Sequence, residues 1–108
     1  MDKKYIVKKT KEIDAIIRVR KSVGNKFFVI YTRKNNETKG FRFAISIGKK
    51  YGNAVSRNLM KRRIREIIRN NIDIVKEYDY LIVVKKDSNL LNFEEIEKNI
   101  KLLLRKVI

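Results

Sequence analysis

The segment that most constrains the fold of this chain is residues 79–86, DYLIVVKK. Four apolar residues in a row, Leu81–Val84, stand in a sequence in which 37% of the residues are charged, and no apolar run elsewhere is longer. The run is far below the roughly 20 residues needed to span a bilayer. A short continuous apolar run is typical of a strand that is covered on both faces. We therefore predict a central strand over residues 79–86.

Two earlier segments also have strand patterns, residues 26–33 and 41–49. The first, KFFVIYTR, is rich in aromatic and β-branched residues, and the second alternates large apolar with small or polar side chains. The loop-like stretch Lys34–Gly40 lies between them. We predict that the two strands form an antiparallel hairpin. On the first strand, Phe28 is expected in the core, and the alternation of side chains places Phe27, Val29 and Tyr31 on one face.

Three further segments have the apolar spacing of helices, residues 10–20, 53–70 and 92–107. Asn53 is the predicted N-cap of the middle helix. Asn92 and Glu95 have the spacing of a capping box, with Asn in place of the usual Ser or Thr. The element order is then α-β-β-α-β-α. This order predicts one domain over residues 1–108 with an α+β fold, a two-layer sandwich of helices on a mixed central sheet.

The composition restricts the function. The chain has 28 Lys and Arg against 12 Asp and Glu, which gives a formal net charge of +16. A compact body with this charge attracts polyanions, so RNA, DNA and an anionic membrane surface are the candidate partners. The first ten residues have no apolar stretch of the kind found in a signal peptide, and we therefore expect a cytoplasmic protein without a membrane partner.

The sequence offers few groups for catalysis. It contains no Cys and no His, so a thiol nucleophile, a Cys zinc site and the usual general base are missing. Acidic residues are sparse, and no Gly-rich phosphate loop is present. We predict no catalytic residue, no metal ligand and no small-molecule substrate, and we expect the polypeptide alone not to be an enzyme.

The stretch Lys49–Arg69 contains a single acid, Glu66. At 100° per residue, Met60, Ile64, Ile67 and Ile68 fall on one arc of the helix, which must face the core. A second arc carries Asn58, Lys61, Arg62, Arg65 and Arg69. A solvated helix face usually mixes charges at i,i+4, whereas here Arg57, Lys61, Arg65 and Arg69 repeat the same sign. This pattern favours binding of a phosphate backbone over simple solvation.

The run from Lys49 to Glu66, KKYGNAVSRNLMKRRIRE, resembles the signature of the protein subunit of bacterial ribonuclease P. The pattern of that family is approximately K-x-x-G-x-A-V-x-R-N-R-x-K-R-x-x-R-E. The matching positions are Lys49 or Lys50, Gly52, Ala54, Val55, Arg57, Asn58, Lys61, Arg62, Arg65 and Glu66. Length and element order agree with the family over essentially the whole chain. Two departures stand out. Leu59 replaces the second Arg of the family's Arg-Asn-Arg, and Ile13 and Ile17 occupy places where the family usually has aromatic residues.

The resemblance implies a protein that assists a catalytic RNA. In the family, the RNA removes the 5′ leader of precursor tRNA with bound divalent metal, and the protein binds both the catalytic RNA and the single-stranded leader. It implies Mg²⁺ bound mainly by the RNA, and a left-handed β-α-β crossover. The implied RNA-binding residues are Lys49, Lys50, Arg57, Asn58, Lys61, Arg62, Arg65 and Arg69. The expected leader groove comprises Ile13, Ile17, Phe27, Val29 and Tyr31, where aromatic rings and cations suit a single strand.

Three other functions are compatible with parts of the pattern. A basic ribosomal RNA-binding protein is the main alternative, although the chain ends in a patterned helix instead of a long basic tail. A stand-alone nuclease is disfavoured by the missing His and the sparse acids. A DNA-binding protein is disfavoured because no recognition-helix pattern is present.

Overall fold

The computed structural model describes residues 10–34 and 40–107. The predictions for the first nine residues, and for most of the loop over 34–40, lie outside the described residues. The helices are α1 (Thr10–Arg18), α2 (Ala54–Asn70) and α3 (Phe93–Lys106), and the strands are β1 (Ser22–Gly24), β2 (Phe28–Lys34), β3 (Arg42–Ile47) and β4 (Tyr78–Val84). Short 3-10 turns occupy Lys49–Tyr51, Ile72–Ile74 and Lys86–Leu90.

The four strands form one mixed sheet in the order β1-β2-β4-β3. The predicted central strand is confirmed, since β4 pairs antiparallel with β2 and parallel with β3. The predicted hairpin is wrong, because β4 lies between β2 and β3. The physical reason is burial. A β2–β3 hairpin would leave the most continuously apolar strand at an edge, whereas insertion of β4 covers both of its faces.

Strand β1 has no counterpart in the sequence predictions. It is only three residues long and pairs antiparallel with β2 through Ser22↔Tyr31 and Gly24↔Val29. A Cβ atom on Gly24 would lie 3.1 Å from Cγ2 of Val29, so glycine permits the close approach of the two strands. A segment this short has no detectable alternation, and only its pairing with β2 defines it as a strand.

The core consists of two clusters on opposite faces of the sheet. Tyr80 and Ile82 of β4 belong to the larger cluster, which also contains the buried residues of α2 and α3. Leu81 points to the other face, where it meets Ile16 of α1 and Ala44 of β3. The predicted α+β fold with a mixed sheet is confirmed. The predicted two layers become three, because α1 covers the sheet face opposite α2 and α3 and buries Leu81 there.

The helix starts agree with the sequence. Asn53 accepts a hydrogen bond from the backbone N–H of Ser56 at 2.9 Å, and the capping box between Asn92 and Glu95 is complete. The unit β3-α2-β4 joins parallel strands, so α2 makes a β-α-β crossover. The left-handed sense implied by the resemblance stays a prediction. Within the described ranges, no helix combines the length and apolar character required to cross a membrane.

Candidate nucleic-acid interface

Helix α2 has one face in the core and its remaining surface toward solvent. Met60, Ile64, Ile67 and Ile68 are all buried to 2% exposure or less, as the helical spacing predicts. These residues pack in the larger cluster against the sheet and α3. The helix cannot rotate without exposing them, so the direction in which its cationic face points is fixed.

The solvent side of α2 carries the predicted RNA-binding residues. We call this surface the cation face and define it by Arg57, Asn58, Lys61, Arg62, Arg65 and Arg69. Arg62, Arg65 and Arg69 line one shallow depression together with Glu66. Arg57, Lys61 and Arg65 are partly buried, while Asn58, Arg62 and Arg69 are exposed. Within the described residues, none of these cations forms an ion pair. Among the residues that line this depression, Glu66 is the single acid, and it forms no direct ion pair with the three arginines.

The turn before α2 extends this positive surface. Lys49 and Lys50 are exposed in the turn Lys49–Tyr51, which the Asn89 side chain ties to the rest of the fold by donating to the Tyr51 carbonyl at 3.3 Å. Burial raises the pKa of Tyr51, partly opposed by the charge of Arg63. The side chain of Tyr51 packs against the larger core cluster. The two lysines thus lie at the start of the same helix, on a turn that packing and a hydrogen bond hold in place.

The residues predicted for the leader groove divide between the two faces of the sheet. Ile13 and Tyr31 pack against the smaller cluster under α1, and Ile17 at the end of α1 is 42% exposed. Val29 is partly buried and lies on the same strand face as Tyr31. Phe27 precedes β2 and packs against the larger cluster, so the predicted shared face does not include it. Phe28 is fully buried, as expected.

An ion-pair network fixes α1 to the sheet on the same side as Tyr31. Asp79 is fully buried and accepts from Arg33 Nη2 at 2.8 Å, and from Arg42 Nε and Nη2 at 3.1 and 2.9 Å. Arg42 also donates to Glu12 of α1 at 3.1 Å. The hydrogen bond to Asp79 is the main reason that the pKa of Arg42 is raised above its usual value.

Sequence reasoning missed this network, because its members are distant along the chain. Asp79 lies opposite Arg33 in the antiparallel pairing with β2 and opposite Arg42 in the parallel pairing with β3. The predicted central position of β4 was not enough; its pairing partners and their register are what bring both arginines next to Asp79. The network removes two cations from the set available to a polyanion, since both are neutralised internally.

Comparison with known proteins decides between the candidate functions. The model of the Ribonuclease P family matches residues 1–108, the whole chain. This chain belongs to the ribonuclease P protein family. Its function is therefore that of an RNA-binding protein component of ribonuclease P, which takes part in processing the 5′ end of tRNA. The alternative of a ribosomal protein is not supported.

Relatives and solved structures agree with this family. The chain is 47% identical to the ribonuclease P protein component of Acholeplasma laidlawii, over 98% of this chain and 91% of the relative. It is 45% identical to that of Phytoplasma australiense, over 90% of this chain and 85% of the relative. A Staphylococcus aureus RNase P protein, a mutant with defective mRNA degradation activity, superimposes with a TM-score of 0.92 at 33% identity and covers 96% of this chain and 88% of its own. The RNase P protein of Thermotoga maritima superimposes with a TM-score of 0.84 at 27% identity, and the match covers 91% of this chain and 93% of that protein.

The departure from the family pattern at Leu59 lies on the solvent side of α2. Leu59 is 42% exposed, and Val55, one turn earlier, is 77% exposed. These two side chains form an apolar break on an otherwise cationic helix. Replacement of the family's Arg by Leu59 therefore costs a surface charge and does not alter the core.

The described side chains form no acidic cluster that could hold a metal ion by protein ligands alone. Among residues 10–34 and 40–107, no three acidic groups lie close enough to hold a metal ion. Asp79 and Glu12 are bonded to arginines, and Glu66 shares its depression with three of them. Mg²⁺ usually keeps several waters and takes one or two carboxylates together with phosphate oxygens, so these residues exclude only a site made of protein side chains alone. Binding of Mg²⁺ mainly by the RNA stays a prediction.

Proposed function

We propose that the cation face of α2, with Lys49 and Lys50, binds the catalytic RNA of ribonuclease P. The main support is a row of like charges at i,i+4 spacing on a helix whose other face is buried. The row consists of Arg57, Lys61, Arg65 and Arg69. Each such i,i+4 pair destabilises the isolated helix by a few tenths of a kcal/mol. A bound phosphate backbone relieves this repulsion and is contacted through charge-assisted hydrogen bonds.

We further propose that the α1 side of the sheet holds the single-stranded 5′ leader of precursor tRNA. We call this surface the leader surface and define it by Ile13, Ile17, Val29 and Tyr31. Its partly exposed side chains offer one aromatic ring and several apolar contacts, which bind a single strand with little sequence preference. Phe27 packs on the opposite side, which makes it the weakest member of the predicted groove.

In this proposal the RNA carries out the hydrolysis and the protein binds. The described residues contain no His or Cys and no acidic cluster, and their free cations suit binding of phosphates. The polypeptide positions the leader relative to the catalytic RNA and lowers the repulsion between the two RNAs. Its location in the cytoplasm, expected from the sequence, stays a prediction.

Reconstitution tests the proposal. The purified protein is added to a bacterial ribonuclease P RNA at low magnesium, and removal of the 5′ leader from precursor tRNA is measured. We expect cleavage to depend on both components, because the protein supplies binding and the RNA the chemistry. Absence of stimulation would overturn the proposal, and cleavage by the protein alone would favour a nuclease instead.

Binding of tRNA to the same reconstituted enzyme tests the leader surface. Tyr31→Ala should weaken binding of precursor tRNA more than binding of mature tRNA, since stacking on one aromatic ring contributes about 1–3 kcal/mol per base. Phe27→Leu is the matched control, because Phe27 lies in the other cluster. An equal effect of Tyr31→Ala on both RNAs would remove Tyr31 from the leader surface.

A further inference from the structure

A basic groove lies where α1, the β1–β2 edge and the end of α3 meet. It consists of two adjacent depressions that share Lys21 and Thr32. We call it the corner groove. Its first depression is lined by Arg20, Lys21, Ser22, Val23, Thr32, Lys106 and Val107. Its second is lined by Val19, Lys21, Thr32, Arg33, Lys34 and Tyr78. None of these residues belongs to the cation face.

The local backbone explains how the groove forms. Strand β1 covers only the first part of β2, as far as Ser22 opposite Tyr31, so the last residues of β2 extend past it. Arg20 adopts a positive φ of 58° after α1, and its N–H donates to the Ile17 carbonyl at 3.0 Å. This left-handed turn ends the helix and leads the chain to the Lys21 carbonyl, which accepts from Thr32 N–H at 3.0 Å. The side chains on either side of this contact line the groove.

The charge of the corner groove is one-sided. Within the described residues, Arg20, Lys21, Lys34 and Lys106 form no ion pair, and no carboxylate lines either depression. Arg33 is paired with Asp79, whose side chain is 1% exposed behind it. Hydroxyl groups of Ser22 and Thr32 and the ring of Tyr78 complete the lining. Cations with an aromatic ring and hydroxyls are the groups that contact the backbone and bases of a single-stranded nucleic acid.

The corner groove continues the leader surface. Arg33 follows Tyr31 by two residues on the same strand face, a step of about 7 Å along β2. Val19 follows Ile17 by two residues, and these side chains are 43% and 42% exposed. A strand of RNA that crosses Tyr31 and Ile17 therefore meets Val19 and Arg33 next, at the mouth of the groove. The cation face has no such continuity, because no residue of α2 lines either depression.

We infer that the corner groove binds the phosphate backbone of the 5′ leader beyond the nucleotides held on the leader surface. The inference rests on the proposed leader binding and extends it to a second, electrostatic segment. The protein then holds the leader in two parts, first by apolar and aromatic contact and then by cations. Affinity for precursor tRNA should consequently increase with leader length until the groove is filled.

A double variant of Lys21, which lines both depressions, and Lys34, which lines the second, tests the inference. Lys21→Gln with Lys34→Gln keeps part of each aliphatic stem and removes two charges, and both residues are exposed. The matched control is Lys98→Gln with Lys101→Gln on the outer face of α3, where Glu94 and Glu97 lie nearby. Binding of the reconstituted enzyme to precursor tRNA is measured with a long leader, and with a leader cut to the few nucleotides next to the cleavage site.

The variant should bind the long-leader substrate several-fold more weakly, with a salt dependence of log K shallower by about 1.4, from 0.7 per lost single-strand phosphate contact. Binding of the short-leader substrate should not change. Lys21→Arg with Lys34→Arg should restore the long-leader affinity. An equal loss of affinity for both substrates would overturn the inference, because it would mean that the groove contacts the catalytic RNA and not the leader. If the double variant binds the long-leader substrate as tightly as the control variant does, the inference is also overturned, and the groove is only a cluster of solvated charges.

Failure of this inference is distinguishable from failure of leader binding itself. If only the inference fails, the wild-type enzyme still prefers the long leader over mature tRNA, and the double variant keeps that preference in full. If leader binding fails, the wild-type enzyme shows no preference for a leader of any length, and both proposals are overturned.

Discussion

The cation face of α2 and the α1 side of the sheet both carry arginines, but in opposite states. Arg62, Arg65 and Arg69 have no ion pair within the described residues, while Arg33 and Arg42 converge on the buried Asp79. The sequence presents all five as equal contributors to a charge of +16. The comparison shows that net charge overstates the binding surface, because part of it is used to fix α1 to the sheet.

The difference also explains why one region is rigid and the other available. A buried carboxylate with three hydrogen bonds to two arginines can be moved only at the cost of leaving charges unpaired. Arg62, Arg65 and Arg69 of α2 are exposed or partly buried and form no ion pair within the described residues, so they can adjust to a phosphate backbone. The rigid region therefore shapes the leader surface, and the adaptable region makes electrostatic contacts.

The largest effect should come from breaking the network. Asp79→Asn should lower the free energy of unfolding by about 3–5 kcal/mol, because two arginines then lack their buried counter-charge. Glu66→Gln, beside the cation face, should change it by no more than about 0.5 kcal/mol, as expected at an exposed site. Chemical denaturation measures both. A loss below about 1 kcal/mol for Asp79→Asn would mean that the ion-pair network contributes no more to stability than the exposed charges of α2 do.

The double variant Arg65→Gln with Arg69→Gln should change stability less than Asp79→Asn does, but it should clearly change the binding of RNA. Removing these like charges should leave the fold unchanged or stabilise it by a few tenths of a kcal/mol. Binding of the catalytic RNA should become less salt-dependent, with a slope of log K against log[salt] shallower by about 1.8 if both contact a duplex. Lys98→Gln with Lys101→Gln is the charge-matched control. An unchanged slope would exclude the depression of α2 as the contact surface.

The smallest effect should come from restoring the family's residue with Leu59→Arg. Leu59 is 42% exposed and its replacement should change the free energy of unfolding by no more than about 0.5 kcal/mol. One added phosphate contact should steepen the salt slope for the catalytic RNA by about 0.9. Leu102→Arg, at a side chain that is 50% exposed on α3, is the control for non-specific charge. Equal steepening by both variants would show that the position of the charge on α2 does not matter.

Much of the fold follows from local patterns that act within one element. The run Leu81–Val84 specifies a central strand, and the spacing of Met60, Ile64, Ile67 and Ile68 specifies which side of α2 is buried. The caps at Asn53 and Asn92 fix where two helices begin. The signature over Lys49–Glu66 identified the family, because its spacing is set by contacts of a single helix and the turn before it.

What the sequence did not determine depends on pairing between distant segments. The order of the strands was decided by the gain from covering both faces of β4, which outweighs the short loop between β2 and β3. That order places Asp79 between Arg33 and Arg42. The short pairing of β1 with β2 leaves the end of β2 uncovered at the corner groove. The sequence alone therefore determined that this protein binds RNA and which helix presents its cations. Only the tertiary structure decided which arginines remain free to do so, since an ion pair across three strands has no local signal.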